Sequence, residues 1–304
     1  MITEQHEPSR ARGDDRHGEL QDHDRGLAFD LSTLVRRRRM LQMLGGAGLF
    51  ALVGCGSSTL KSSGSSATSA TSATSGTSGS AATAVTSATT AASSGSVEAV
   101  PEETAGPYPG DGSNGVNVLT ESGIVRSDIR SSFGSASGVA GGVPTTIKLT
   151  VVEAGAGDPV SGAAVYLWHC DRDGNYSLYS PSVTNENYLR GVQETDSSGT
   201  ATFTSIYPAC YSGRWPHIHF EVYPSLDEAT SAGSTLATSQ IALTEDVSRT
   251  VYATDGYSQS VSNLSRVSLA TDMVFSDGAE LETPAVTGSV ADGYVVALKV
   301  GVSS

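Results

Sequence analysis

From about residue 99 onward, apolar positions come in short bursts. They are "TTIKLTVVEA" (145–154), "AAVYLWHC" (163–170), "GTATFTSIY" (199–207), "HIHFEVY" (217–223), "TSQIALT" (238–244), "RTVYAT" (249–254), "RVSLATDMVF" (266–275) and "DGYVVALKVGV" (292–302). The bursts are rich in β-branched and aromatic residues and are bounded by Gly, Pro, Asp or Ser. Short strands with turn signals between them predict an all-β fold, an antiparallel sandwich or barrel. Helical periodicity is hard to find, apart from a turn near "SVSNLS" (260–265).

The first hundred residues follow other patterns. Residues 1–35 are polar and mixed in charge. Arg36 to Arg39 then precede an apolar run from Met40 to Val53, followed by Gly54 and Cys55. Fourteen residues at helical rise fall short of a hydrocarbon core about 30 Å thick, so the run reads as an export signal and not as a membrane span. Arg37, Arg38 and Arg39 before Met40-Leu41-Gln42 resemble a twin-arginine (Tat) pattern, the route of proteins exported already folded. The Leu-x-Gly-Cys ending resembles a bacterial lipobox, which would lipidate Cys55, make it the mature N-terminus and hold the protein at the cell membrane. From Gly56 to about Ser96 the chain is almost only Ser, Thr, Ala and Gly. Such a stretch buries no apolar surface to offset chain entropy. The expected organisation is therefore an export signal at 1–54, a flexible tether at 55–98 and one domain at 99–304.

The 304 residues carry 18 Lys plus Arg against 32 Asp plus Glu, a formal charge of −14, which argues against a nucleic-acid partner. Acidic and basic side chains cancel within 1–54, so the mature chain keeps the whole charge. Three of the six histidines, His6, His17 and His23, lie in the signal segment; the domain has only His169, His217 and His219.

Two of those three stand in "ACYSGRWPHIHF" (209–220). Side chains at i and i+2 of a strand share a face, so His217 and His219 can present both imidazoles to one ion, with Ile218 and Phe220 facing the core. A lone H-x-H on a strand is more often two solvated histidines. Here Tyr211 and Arg214 precede the pair in a Gly/Pro-punctuated turn, and Tyr176 follows Asp173-Gly174-Asn175 after the burst at 163–170. Two phenolates with two imidazoles favour ferric iron over zinc or magnesium. A cupin-type site would want a carboxylate spaced further along than Glu221. A structural zinc site would want clustered cysteines, and Cys170 and Cys210 are isolated.

Together, "GPY" (106–108), "GIVRSDIR" (123–130), "AAVYLWHCDRDGNYSLYS" (163–180), "YLRGVQETDSSGTATFTSIYPACYSGRWPHIHF" (188–220) and "TSQIAL" (238–243) resemble the intradiol ring-cleavage dioxygenases, the group of protocatechuate and catechol dioxygenases. The similarity is strongest to short, secreted members. It implies an antiparallel β-sandwich and a non-haem Fe(III) held by Tyr176 and His217 (equatorial) with Tyr211 and His219 (axial). Arg214 matches the family's active-site arginine and Gln240 the glutamine beside it, the latter after an insertion, "SLDEATSAGST" (225–235). Tyr179 is a rival for the first ligand, although the Gly-x-Tyr spacing favours Tyr176. The implied reaction cleaves catechol-type rings with O2 to cis,cis-muconate-type products, with Tyr211 taking a proton as it leaves the metal and Arg214 stabilising negative character on the bound ring.

Other readings stand beside this one. The domain could be a non-catalytic, surface-anchored binding sandwich that keeps the fold, although no ligand position is lost. A zinc or copper hydrolase or oxidase using H-x-H would leave both tyrosines without a role. Tyr166 and Trp168 read as packing, His169 as a satisfied core histidine, and "GPY" as a pocket mouth or a turn. Cys170 and Cys210 each lie near a ligand tyrosine, and an exported protein could join them in a disulfide; unpaired, they would be buried thiols. The chain lacks an obvious N-terminal dimerisation helix, and its oligomeric state is left open.

Overall fold

The computed structural model describes residues 96–231 and 233–303. The signal segment with its twin-arginine and lipobox patterns, Cys55, and the tether as far as residue 95 lie outside the described residues. Strand-type pairing starts at Val97, which bridges Gly155.

Among the described residues, eight strands build two sheets. One has the order β4 (Thr200–Ile206), β1 (Pro144–Glu153), β8 (Gly293–Val302), β7 (Ala285–Ser289). The other runs β3 (Arg190–Glu194), β2 (Ala164–Trp168), β5 (His217–Tyr223), β6 (Ala237–Ala242). Every neighbouring pair is antiparallel except β1 with β8, which is parallel. The sandwich expected from the sequence is present, with that one parallel pair.

Alternation explains the first sheet. Ile147, Leu149 and Val151 of β1, with Tyr294, Val296, Leu298 and Val300 of β8, point inward against Val165, Leu167, Ile218, Phe220 and Val222 from the second sheet. The second sheet is buried on both faces. Tyr166 and Trp168 of β2 and Val192 of β3 face away from this core, into a second cluster with Val118, Leu119, Ile124 and Tyr176. Segments 105–133 and 176–179 roof that outer face, and His217 and His219 open onto it.

Short helices occupy the connections: α1 (Leu226–Thr230), α2 (Glu245–Tyr252) and α3 (Ser258–Leu264). The burst "RTVYAT" is not a strand; it runs from the second half of α2 into the following turn. Glu245 and Asp246 start that helix and Arg249 ends it, in keeping with its dipole, while Val251 and Tyr252 are its buried side. The burst began halfway along the helix and so concealed the 3.6-residue repeat. "RVSLATDMVF" is not a strand either. It folds into two 3-10 turns, Leu269–Thr271 and Phe275–Asp277, on either side of a fully buried Asp272. Strands β3 and β7 escaped expectation because β3 has a charged residue at each end and β7 is mostly exposed.

Candidate metal centre

The loop carrying Tyr176 is shaped by Asp171. One carboxylate oxygen accepts the N–H groups of Asp173 and Asn175, and the other accepts the Tyr188 hydroxyl. Gly174 sits in this turn at φ +88, where a Cβ would stand 3.2 Å from the Cβ of Tyr211. Only glycine lets the two tyrosine-bearing loops approach so closely. Gly213, at φ +82, turns the chain between Tyr211 and β5. Two non-glycine residues also lie in the left-handed region, Leu178 (φ 72) and Leu189 (φ 55). Each costs about 1–2 kcal/mol that the surrounding contacts must offset.

These loops bring four side chains to one point. The Tyr211 hydroxyl lies 3.2 Å from His217 Nε2, the Tyr176 hydroxyl 3.4 Å and His219 Nε2 3.2 Å. Adjacent ligand atoms about 2.1 Å from a common ion stand about 3.0–3.4 Å apart, from octahedral to tetrahedral geometry. The three distances from His217 Nε2 are therefore those of donors that could share one ion. His217 Nδ1 is 2.5 Å from the Trp215 carbonyl and must carry the proton, which leaves the Nε2 lone pair facing the centre. Trp168 stacks on the His219 ring at 4.9 Å and 5°, and Tyr166 stacks on Trp168, so a column of rings fixes the second imidazole. The histidines and Tyr176 are buried; Tyr211 is part-exposed. Among the described residues no group of three or more His, Cys, Asp or Glu is placed to hold a metal; an ion at the two histidines would need the tyrosines as further donors.

Burial dominates the electrostatics. It holds His217 well below the usual imidazole range, with Arg214 adding to the effect, and His219 likewise, with His217 and Arg214 adding. Both rings are therefore neutral donors. Burial also pushes the Tyr176 phenol well above its ordinary value, with Tyr211 reinforcing the shift. A cation at the centre would reverse that cost by stabilising the phenolate. Neutral imidazoles beside phenols that need a positive charge to ionise fit a highly charged metal ion.

Arg214 is positioned by residues from distant segments. Its Nε donates to Asp272 Oδ2 at 3.0 Å, and one terminal nitrogen donates to Gln240 Oε1 at 2.8 Å. Gln240 pairs with His219 in the β5/β6 register, and its amide donates to the Thr104 carbonyl. The sequence had placed Gln240 beside Arg214; it gave no sign of Asp272, whose carboxylate also accepts from Trp215, Val274 and Phe275 N–H. Nearby, burial and the charge of Asp277 raise Glu103 to about 7, and burial and Glu103 raise Glu282 to about 8.

The remaining candidates separate clearly. The Tyr179 hydroxyl donates to Asn114 and accepts from Gly110 N–H, so it belongs to the loop wall and not to the four-donor cluster. Tyr108 of "GPY" packs 4.9 Å from the Tyr176 ring and 5.2 Å from that of Tyr179. His169 is a satisfied core residue, bonded to the Cys170 carbonyl and the Ser205 hydroxyl. The disulfide is absent: Cys170 and Cys210 are free, buried thiols. They belong to different apolar clusters, and their sulfurs face different carbonyls, Ala209 for Cys170 and Arg214 for Cys210.

Residues 133–228 match the family model Dioxygenase_C, described as Dioxygenase. Over 56 residues the chain is 39% identical to the chlorocatechol 1,2-dioxygenase of Rhodococcus opacus; the match covers 18% of this chain and 22% of that protein. The chain thus spans about a fifth of the length of this curated relative. Among solved structures it is similar to an intradiol ring-cleavage dioxygenase from Tetranychus urticae, with 25% identity, a TM-score of 0.50, and coverage of 60% of this chain and 88% of that one. Residues 133–228 thus resemble a dioxygenase family, and the fold is similar to that of an intradiol ring-cleavage dioxygenase.

Proposed function

We propose that this protein is a non-haem Fe(III)-dependent intradiol dioxygenase that cleaves catechol-type aromatic rings with O2 to cis,cis-muconate-type products. The observation that supports this best is the convergence of the Tyr176 and Tyr211 hydroxyls and the His219 imidazole on His217 Nε2. In this reading Tyr176, Tyr211, His217 and His219 hold the iron. When bound, ferric iron supplies Lewis acidity toward a catecholate and a route for the ring's electron density toward O2.

The chain's own groups do the rest. Tyr211, the part-exposed member of the set, would be a phenolate with the ion bound, and its ionised oxygen is suited to accept a proton from an incoming catechol, leaving a neutral phenol. His217 and His219 stay in place, one fixed by the Trp215 carbonyl and the other by the Trp168 ring. Arg214, held rigid by Asp272 and Gln240, stabilises negative charge on the ring without having to reorganise. The second apolar cluster around Tyr176 keeps water from the centre.

We place this activity outside the cytoplasm, on a membrane-anchored protein lipidated at Cys55 after twin-arginine export, on the strength of the patterns at 36–55. Oxygen uptake by the iron-loaded protein with a panel of catechols, followed by mass analysis, tests the reaction. Uptake of one O2 per ring with a product heavier by both oxygen atoms is expected. No uptake with any catechol, or release of one oxygen atom to water, would overturn it.

A further inference from the structure

Arg190 is about as deeply buried as any charged side chain in the domain, and among the described residues it has no acidic partner. A buried guanidinium bonded only to neutral groups is a costly arrangement, so what it bonds to is informative. One terminal nitrogen donates to the Pro109 carbonyl at 2.8 Å and to the Tyr166 hydroxyl at 3.2 Å. The other donates to the Ser177 carbonyl at 3.0 Å, and Nε donates to the Ser177 hydroxyl at 3.1 Å. The guanidinium carbon lies 5.3 Å from the centroid of the Tyr179 ring. Tyr166 also donates to Pro109, at 2.6 Å.

Pro109 and Ser177 lie in two loops that no strand pairing joins, and Tyr166 lies in β2. Pro109 follows Tyr108, which packs on the Tyr176 ring; Ser177 follows Tyr176 itself. Arg190 opens β3 and pairs in register with Trp168, the residue stacked on His219. It therefore ties both loops to the rigid strand pair that holds the second imidazole. Backbone geometry points independently to the same place. Among the described residues, the two non-glycine residues with positive φ, Leu178 and Leu189, flank the clamp, one following Ser177 and the other preceding Arg190. Strained residues persist where surrounding contacts over-determine them, and they cluster at working sites.

We infer that Arg190 is a positioning residue: through Pro109 and Ser177 it sets the spacing between the Tyr108 loop and the Tyr176 loop, and so the width of the wall against which an aromatic substrate lies. This rests on the proposed dioxygenase reading for its substrate, but not for its geometry. Arg190→Lys keeps the charge and loses the fork, since one ammonium cannot reach Pro109, Tyr166 and both Ser177 groups. Tyr166→Phe is the milder variant, removing only the shared hydroxyl.

The first measurement is hydrogen exchange on metal-free protein. In Arg190→Lys the amides of Tyr108, Gly110 and Asp111 and of 177–180 should exchange at least about tenfold faster, with the β1, β5 and β8 amides unchanged. Tyr166→Phe should show a smaller rise confined to Tyr108, Gly110 and Asp111. Unchanged loops, or equal acceleration across the sheets, would overturn the inference. The second measurement is steady-state kinetics per bound iron: KM for a catechol should rise about tenfold in Arg190→Lys while kcat stays within about threefold. A purely structural arginine would lower the yield of folded protein and leave KM unchanged, which refutes the positioning role. If wild-type protein turned over no catechol, the function proposed above would fail, and hydrogen exchange would still decide the clamp.

Discussion

The Arg214–Asp272 pair is buried on both sides, with 2% and 0% of the side chains exposed, and breaking it should be expensive. Consider Asp272→Asn, which keeps the shape and removes the charge. At Oδ2 the carboxylate receives Arg214 Nε–H and Trp215 N–H; at Oδ1 it receives Val274 N–H, Phe275 N–H and, at 3.4 Å, a terminal N–H of Arg214. An amide has one acceptor end, so either orientation turns its NH2 against at least two donors. Losing two bonds to a charged acceptor costs about 1.5–3 kcal/mol each, and breaking a buried pair costs about 3–5 kcal/mol, so two routes agree on about 4 kcal/mol. For a domain of about 200 residues that lowers Tm by about 8–16 °C. Calorimetry of the metal-free protein at neutral pH reads it directly. Arg214→Met with Asp272→Asn together should recover more than about half of the loss, because no unpaired guanidinium is left buried. A single variant melting less than about 3 °C below wild type would refute the reasoning.

Other consequences follow from burial. Glu282 has its carboxyl raised to about 8, so it is protonated in the native state, and that contribution to stability is lost as pH rises from its unfolded value of 4.5 through about 8. Glu282→Gln, which mimics the protonated acid, should be more stable than wild type at pH 8.5 by an order of 3 kcal/mol and equal to it near pH 4.5; parallel urea-denaturation profiles at the two pH values would contradict this. Cys170 is held well above the ordinary thiol range by burial, and Cys210 is pushed up to about 12 for the same reason. Both should resist alkylation in the native protein and react without added reductant once it is unfolded; recovery of a linked peptide would show a disulfide instead. Trp168→Ala removes the ring that fixes His219 and, as a large-to-small change in a buried cluster, should cost about 3–5 kcal/mol in urea denaturation; a loss under about 1 kcal/mol would count against the stacked column.

The sequence made legible what rests on local repetition. Strands β1, β2, β4, β5, β6 and β8 carry alternating or continuous apolar runs with turn residues at their ends, and period-two spacing placed His217 and His219 on one face. Tyr176 and Tyr211 were reachable through their glycine-marked turns. Asp272 was not, because it lies 58 residues from Arg214 and inside an apolar burst that mimics a strand. Tyr108 and the stacking of Trp168 depend on loops folding over the outer face of the second sheet, a tertiary event with no period of its own. Arg190 left a faint trace, a charge inside the apolar run "YLRGV", which only its neutral partners make meaningful. The disulfide stayed undecided because closeness to the same pair of loops says nothing about which way two sulfurs point.

The proposed function depends on the four-donor centre, and visible absorption of the protein after loading with ferric iron tests that centre most directly. Tyrosinate-to-iron charge transfer should give a red-brown band that shifts and weakens in Tyr176→Phe and in Tyr211→Phe and disappears in the double variant, with His217→Ala losing the iron altogether. A colourless iron-loaded protein, or a band unchanged in the double variant, would contradict the assignment of Tyr176, Tyr211, His217 and His219 to one ferric site.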